Sequence, residues 1–153
     1  MVLTDQQALL TCVVLLLTAL FVLRRRTRLE DASHPPRRRP VTQDELGRVV
    51  FEVARSADLD AYRGLFLAGR EVREALGKNA DRYLDARTHL LLQESLVNIG
   101  ARVADGSHYG ACHVVGNEAR IEVRLPGGDV RQVPIGTIMR IRGVWRLRDP
   151  VTE

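Results

Sequence analysis

The sequence predicts an α+β chain: a transmembrane helix at the N-terminus, then about three helices packed on a curved antiparallel sheet. Three observations carry that expectation. Residues 8–23 form a run of sixteen uncharged residues that ends in Arg24, Arg25, Arg26, Thr27 and Arg28. Between residues 42 and 100 the apolar positions recur with the period of one helical face. After Gly100 they alternate, and turn residues punctuate them.

The apolar run is about 24 Å long at ~1.5 Å per residue, against ~30 Å of bilayer hydrocarbon. Val2, Leu3 and Thr4 extend it, and the arginines beyond it can snorkel to the headgroups. A cleaved signal peptide would carry its positive charge before the apolar core, and here the order is reversed. A lipoprotein signal ending at Cys12 would need a small residue before the cysteine. A core helix apolar on every side would need a larger protein around it. The expectation is therefore a retained single span over residues 1–23. Seven arginines, Arg24, Arg25, Arg26, Arg28, Arg37, Arg38 and Arg39, follow it, and no Lys or Arg precedes it. Such asymmetry places the N-terminal tail outside and the domain in the cytoplasm.

The net charge of +4 is not spread along the chain. Residues 24–39 carry seven Arg against Glu30 and Asp31, whereas residues 40–153 hold 16 basic and 16 acidic groups. The excess belongs to a juxtamembrane linker, residues 24–40, whose arginines are expected to contact anionic lipid headgroups at about 1 kcal/mol each. Nucleic acid is not an expected partner, because the domain itself is neutral. Pro35, Pro36 and Pro40 make the linker an extended spacer. Cys12 and Cys112 provide no disulfide framework.

The domain, residues 41–153, opens on a capping box at Thr42 and Glu45. Leu46, Val49, Val50, Val53, Ala54 and Ala57 follow on one helical face. Asp58 caps a second helix carrying Leu59, Tyr62, Leu65 and Phe66, which Gly69 stops. A short third piece, residues 71–76, ends at Gly77. Asn79 caps a longer helix over residues 80–98, with Leu84, Leu91, Leu92, Leu96 and Ile99 inward and Gly100 as terminator. Turn signals then stand at Asp105 and Gly106, at Gly116 and Asn117, and at Pro126, Gly127 and Gly128. Ile121, Val123 and Leu125 alternate with Arg120, Glu122 and Arg124. Val133, Ile135, Thr137, Met139 and Ile141 share one expected face, and Gly143 re-phases the chain so that Trp145 and Leu147 join it. Trp145 and Met139 are thus expected in the core, beneath covering helices.

Helices followed by a curved antiparallel sheet resemble the nuclear transport factor 2-like superfamily, which includes ketosteroid isomerase-like proteins. The residues that carry the likeness are Ala57, Asp58, Leu59, Asp60, Ala61 and Tyr62 with Leu65 and Phe66, an acidic break between two helices, and Gly143, Val144, Trp145, Arg146 and Leu147 as a last strand. The resemblance covers residues 41–149 and implies a cone-shaped α+β fold. It implies a choice among isomerases, dehydratases, polyketide cyclases, ligand carriers and non-catalytic association domains, and carries no catalytic position onto this chain.

His108, Cys112 and His113 are the one metal-capable cluster. On a regular strand His108 and Cys112 share a face and His113 opposes them, which falls short of a zinc site even if His89 or Glu94 contributes. No metal or cofactor is expected. Acid–base chemistry would draw on His89, Glu94 and His113, with His113 and Glu94 as the pair. Arg120, Arg124, Arg140, Arg142, Arg146 and Arg148 fall opposite the expected buried face and form a candidate interaction stripe for an acidic protein partner, a second copy of the domain or lipid. The function expected is a non-catalytic interaction or assembly module of a membrane complex. The alternative is a small-molecule-binding protein or isomerase/dehydratase-like enzyme that uses the cone interior. A polar cavity containing His89, Glu94 or His113 would favour the alternative, and a filled interior the module.

Overall fold

A computed structural model of the chain describes residues 38–86, 89–103 and 105–151. The expected anchor, residues 1–23, and the linker arginines Arg24, Arg25, Arg26, Arg28 and Arg37 lie outside them. Among the described residues no helix is long and apolar enough to cross a membrane. The described part is α+β, with helices preceding a four-stranded antiparallel sheet.

Helix α1 (Gln43–Ser56) starts at the expected capping box: the Glu45 N–H donates to Thr42 Oγ1 at 3.1 Å and the Thr42 N–H to Glu45 Oε2 at 3.2 Å. Leu46, Val50, Phe51, Val53 and Ala54 are buried along one side. Ala57 takes a left-handed conformation (φ 53°) and closes the helix. Asp58 caps α2 (Leu59–Arg63) by accepting from the Ala61 N–H at 2.9 Å. That helix stops at Gly64, five residues before the expected Gly69. Leu65, Phe66 and Leu67 are all buried, and an amphipathic helix cannot bury three successive side chains. They run beside the last strand instead, with a parallel bridge between Phe66 and Leu147.

Helix α3 (Gly69–Leu76) ends at Gly77 as expected, and a short 3₁₀ turn (Gly77–Asn79) leads into α4 (Ala80–Ala86). The expected single helix over residues 80–98 is two helices, α4 and α5 (His89–Arg102). Their apolar residues serve different layers: Leu92, Leu96 and Ile99 join the main core, whereas Ala80 and Leu84 pack in a smaller cluster with Leu67, Val72 and Ile141. Gly100 does not terminate α5. It lets the helix pass α1 closely, since a Cβ there would lie 3.3 Å from the Ala54 carbonyl oxygen.

Strands β1 (His108–Val115), β2 (Glu118–Arg124), β3 (Val130–Ile141) and β4 (Val144–Asp149) form a meander in the order β1-β2-β3-β4. Ala119, Ile121, Val123, Val133 and Ile135 bury one face against the helices, as the alternation implied. Ile135 is an extra residue between Pro134, opposite Arg120, and Gly136, opposite Ala119, and it exchanges the faces of β3, as bulges do. Ile138 continues the main core, and Met139 and Ile141 turn to the smaller cluster on the other side. Arg142 (φ 49°) and Gly143 (φ 80°) make a two-residue turn that sets Ile141 opposite Val144 and Arg140 opposite Trp145. Gly143 therefore does not re-phase the strand. Trp145 is half-buried against the main core on the side of Ile138 and Leu147, and Met139 faces away from it.

Candidate functional site

The bulge between Tyr109 and Cys112 decides where the metal-capable residues go. Two residues, Gly110 and Ala111, intervene without regular pairing, so Tyr109 stands opposite Val123 and Cys112 opposite Ile121 on the helix-covered face. His108 and His113 stand opposite Arg124 and Arg120 on the other face. The expectation that His108 and Cys112 share a face is corrected by that extra residue.

Asp44 on α1 gathers the covered pair. The Tyr109 hydroxyl donates to Asp44 Oδ1 at 2.7 Å, and the Cys112 N–H donates to the same oxygen at 3.2 Å. Gly47 permits this approach, because a Cβ there would stand 2.7 Å from Cys112 Cβ. Burial first, and the Asp44 charge second, push the Cys112 thiol up to about 11. Burial, reinforced by the Asp44 carboxylate, raises the Tyr109 hydroxyl well above its ordinary range. A thiol so raised is protonated at neutral pH and is a poor nucleophile. The cluster ties α1 to β1.

The three acid–base candidates are not brought together. His113 Nε2 lies 3.6 Å from Glu122 Oε2 on the neighbouring strand, so its carboxylate neighbour is Glu122 and not Glu94. Glu94 is exposed on α5. His89 is exposed at the start of α5, with its Nδ1 in contact with the Arg63 guanidinium. Among the described residues no three His, Cys, Asp or Glu side chains could hold a metal ion.

The six stripe arginines also part company. Arg120 and Arg124 are exposed on the outer face of β2, with Arg124 Nε 3.2 Å from Glu122 Oε1. Arg142, in the β3–β4 turn, meets Glu74 of α3, Nε to Oε1 at 3.1 Å. Arg146 is only 3% exposed: the face exchange in β3 places it opposite Met139, under α3. Its Nε lies 3.4 Å from Glu71 Oε1, and its Nη1 donates to the Arg38 carbonyl at 2.8 Å. A shared outer surface for all six is therefore corrected.

Residues 38–40 of the expected spacer belong to the folded part. Pro40 is buried and its carbonyl accepts from the Trp145 N–H at 2.8 Å. Arg38 Nη1 meets Glu52 Oε2 at 2.7 Å, so this member of the lipid-binding set is engaged by the domain, whereas Arg39 is exposed.

Two features escaped the sequence reading. The first is a buried polar link in which Tyr62 Oη and Ser95 Oγ are 2.9 Å apart and the Val151 N–H donates to Ser95 Oγ at 3.1 Å. Burial, partly offset by Ser95, pushes the Tyr62 hydroxyl up to about 12. Ser95 lies in helical phase with Leu92 and Ile99, and that spacing was the signal available. The second is a cleft of about 220 Å³ bounded by Trp145, Arg140, Arg148 and Ile138 of the sheet, by Gln43 at the start of α1, and by the Gly116 and Asn117 turn. A larger open groove of about 530 Å³ near residues 38–40 carries Arg38, Arg39 and Arg48 balanced by Asp44, Glu45 and Glu52.

No protein-family model, curated protein or solved structure matches this chain. The functional reading therefore rests on the geometry just described.

Proposed function

We propose that the chain is a single-span membrane protein whose cytoplasmic domain, of the nuclear transport factor 2-like kind, works by binding a protein partner within a membrane complex. The observation that carries this reading is the filling of the space between helices and sheet. Leu46, Val50, Tyr62, Phe66, Ile121 and Leu147 meet there, none more than 1% exposed. A catalytic or carrier cone instead keeps room for a ligand, with polar groups converging on it. The acid–base candidates here stand on separate surfaces. The surface best placed for a partner is the outer face of β1 and β2, where Arg120, Arg124, His108 and His113 are exposed.

The test is partner capture from detergent-solubilised membranes by the full chain, compared with Arg120→Glu/Arg124→Glu and with His89→Ala/Glu94→Gln. A stoichiometric partner that is lost with the arginine reversals and kept with the second pair is the expected result. A partner set indifferent to Arg120 and Arg124 would remove this surface, and a small molecule that raises the melting temperature and depends on His89 or Glu94 would restore the enzyme or carrier reading. Protease applied to intact cells should spare the domain and applied to inverted vesicles should remove it, and the reverse pattern would overturn the orientation.

A further inference from the structure

The cleft beside Trp145 differs from its surroundings in charge. Arg140 and Arg148 line it and no carboxylate does. Among the described residues Arg140 has no carboxylate at ion-pair distance. Arg148 Nε is buried without a hydrogen bond; the nearest carboxylate oxygen, Asp149 Oδ2, is 3.5 Å away and already accepts from Thr137 Oγ1 at 2.6 Å. Arg140, with no such carboxylate, and Arg148, whose one carboxylate neighbour is shared with Thr137, sit next to an indole and apolar side chains. The larger groove, by contrast, balances its three arginines with three acids.

The position of the cleft selects its occupant. The Trp145 N–H holds the Pro40 carbonyl, and Gln43 lines the cleft from the first turn of α1, so the chain enters the domain at the cleft's margin. Only residues 24–37 separate the described domain from the arginine-bordered apolar run, about 43 Å of chain at ~3.1 Å per residue for a Pro-rich spacer. Val41 and Val115, close in sequence to the cleft-lining Gln43 and Val114, are 57% and 79% exposed. Tryptophan, arginine and exposed aliphatic groups together are the composition of a membrane–water interface.

We propose that this cleft receives an anionic phospholipid headgroup from the bilayer that holds the chain, with Arg140 and Arg148 meeting the phosphate and Trp145 lying against the glycerol and upper acyl region. The inference rests on the membrane-anchored reading above. The volume agrees with it: about 220 Å³ is below the ~300 Å³ at which sites for whole drug-sized ligands begin, and it suits a headgroup. Tethering raises the local headgroup concentration, so two cations suffice without high intrinsic affinity.

Trp145 is the single tryptophan of the chain, so its fluorescence reports the cleft alone. The full chain is placed in bilayer discs of phosphatidylcholine, with or without phosphatidylserine. The expected result is a blue shift and about a twofold fall in acrylamide quenching in the phosphatidylserine discs, both reversed by high salt. Arg140→Ser, at an exposed position, should remove most of the response without moving the melting temperature, and Arg140→Ser/Arg148→Ser should remove all of it. Equal Trp145 signals in the two kinds of disc, or a response that survives both variants, would overturn the proposal. A response of the same size to millimolar inorganic phosphate in phosphatidylcholine discs would also overturn it and assign the cleft to a soluble anion. Flotation separates this outcome from failure of the anchor. A chain that floats with the discs but shows no phosphatidylserine response refutes the cleft and leaves the anchor standing. A chain that does not float refutes the anchor, and the same Trp145 measurement against added phosphatidylserine vesicles then decides the cleft.

Discussion

The two faces of the sheet are built from the same alternating pattern and reach opposite outcomes. On β2 the pattern runs true: Ile121 and Val123 are buried beneath the helices, and Arg120 and Arg124 stand in solvent. On β3 and β4 the bulge at Ile135 exchanges the faces, and α3 with α4 covers what would have been the outer side. An arginine at an apparently outward position, Arg146, becomes a buried cation there. Alternation identifies sides within an unbroken strand, and a single extra residue transfers everything beyond it.

The largest effect expected from this contrast is at Arg146. Replacing it with Ala removes one partner of the Glu71 carboxylate, which also accepts from the Ala68 N–H, and takes away the donor that meets the Arg38 carbonyl. Breaking a buried pair from one side typically costs about 3 to 5 kcal/mol. Arg124→Ala, on the open face, should cost less than about 0.5 kcal/mol. Urea denaturation of the two variants checks the comparison, and equal midpoints would place Arg146 functionally on the surface. Charge reversal of Arg140, Arg142, Arg146 and Arg148 together would mix these cases, since the buried member would unfold what the exposed ones leave intact.

A smaller, signed test uses two glycines on opposite sides of the sheet. A Cβ at Gly47 would meet Cys112 Cβ at 2.7 Å beneath α1, whereas a Cβ at Gly110 would meet the Glu122 side chain, its carboxylate oxygen at 2.5 Å, on the open face. Glu122 can swing into solvent; Cys112 Cβ is fixed by its backbone. Helix propensity alone would make Gly47→Ala stabilising by about 1 kcal/mol. Overpacking should win and give a net loss of about 1 to 2 kcal/mol, while Gly110→Ala stays within about 1 kcal/mol of the parent. A stabilised Gly47→Ala chain would show that α1 and β1 separate readily, and would weaken the account of Asp44 as their tie.

What the sequence made legible was local. The Thr42 capping box and the Asp58 cap depend on residues three apart, and both formed. Alternation in residues 119–123 was legible because the extra residues at its two register shifts lie on β1 and β3 and not on β2. The misreadings share a cause, which is that a second apolar layer and strand irregularities are set by tertiary packing. Helices α4 and α5 serve two apolar layers that a single helical projection had merged. The burial of Arg146 depends on the bulge at Ile135, eleven residues away in sequence. One signal was nevertheless present: Gly136, within β3, has φ 109°, and a Cβ there would stand 2.2 Å from the Asp149 carbonyl oxygen. An isolated glycine in a strand pattern is a sign of a bulge. The candidate site was less legible still, because the cleft combines Gln43, Trp145 and the β1–β2 turn, which the sequence gives no reason to associate.

The smallest expected effect on neutral stability, and the finest test of face assignment, concerns Cys112 and its sequence neighbour His113. Cys112 lies under α1 with its thiol raised from 9.0 to about 11, and His113 is on the open face. In a Cys12→Ser chain, where Cys112 is the remaining thiol, alkylation by iodoacetamide near pH 8 should be about a hundredfold slower than in the urea-unfolded chain, because the thiolate fraction falls tenfold per unit of raised pKa. The linkage to stability has a definite sign. The folded state holds the proton more tightly, so the contribution is fully present below about pH 9 and is lost as pH rises through about 11. Cys112→Ala should flatten that part of the alkaline decline and leave the neutral midpoint almost unchanged. An alkylation rate equal to that of the unfolded chain would put Cys112 on the open face, and the register that separates it from His108 and His113 would then be wrong.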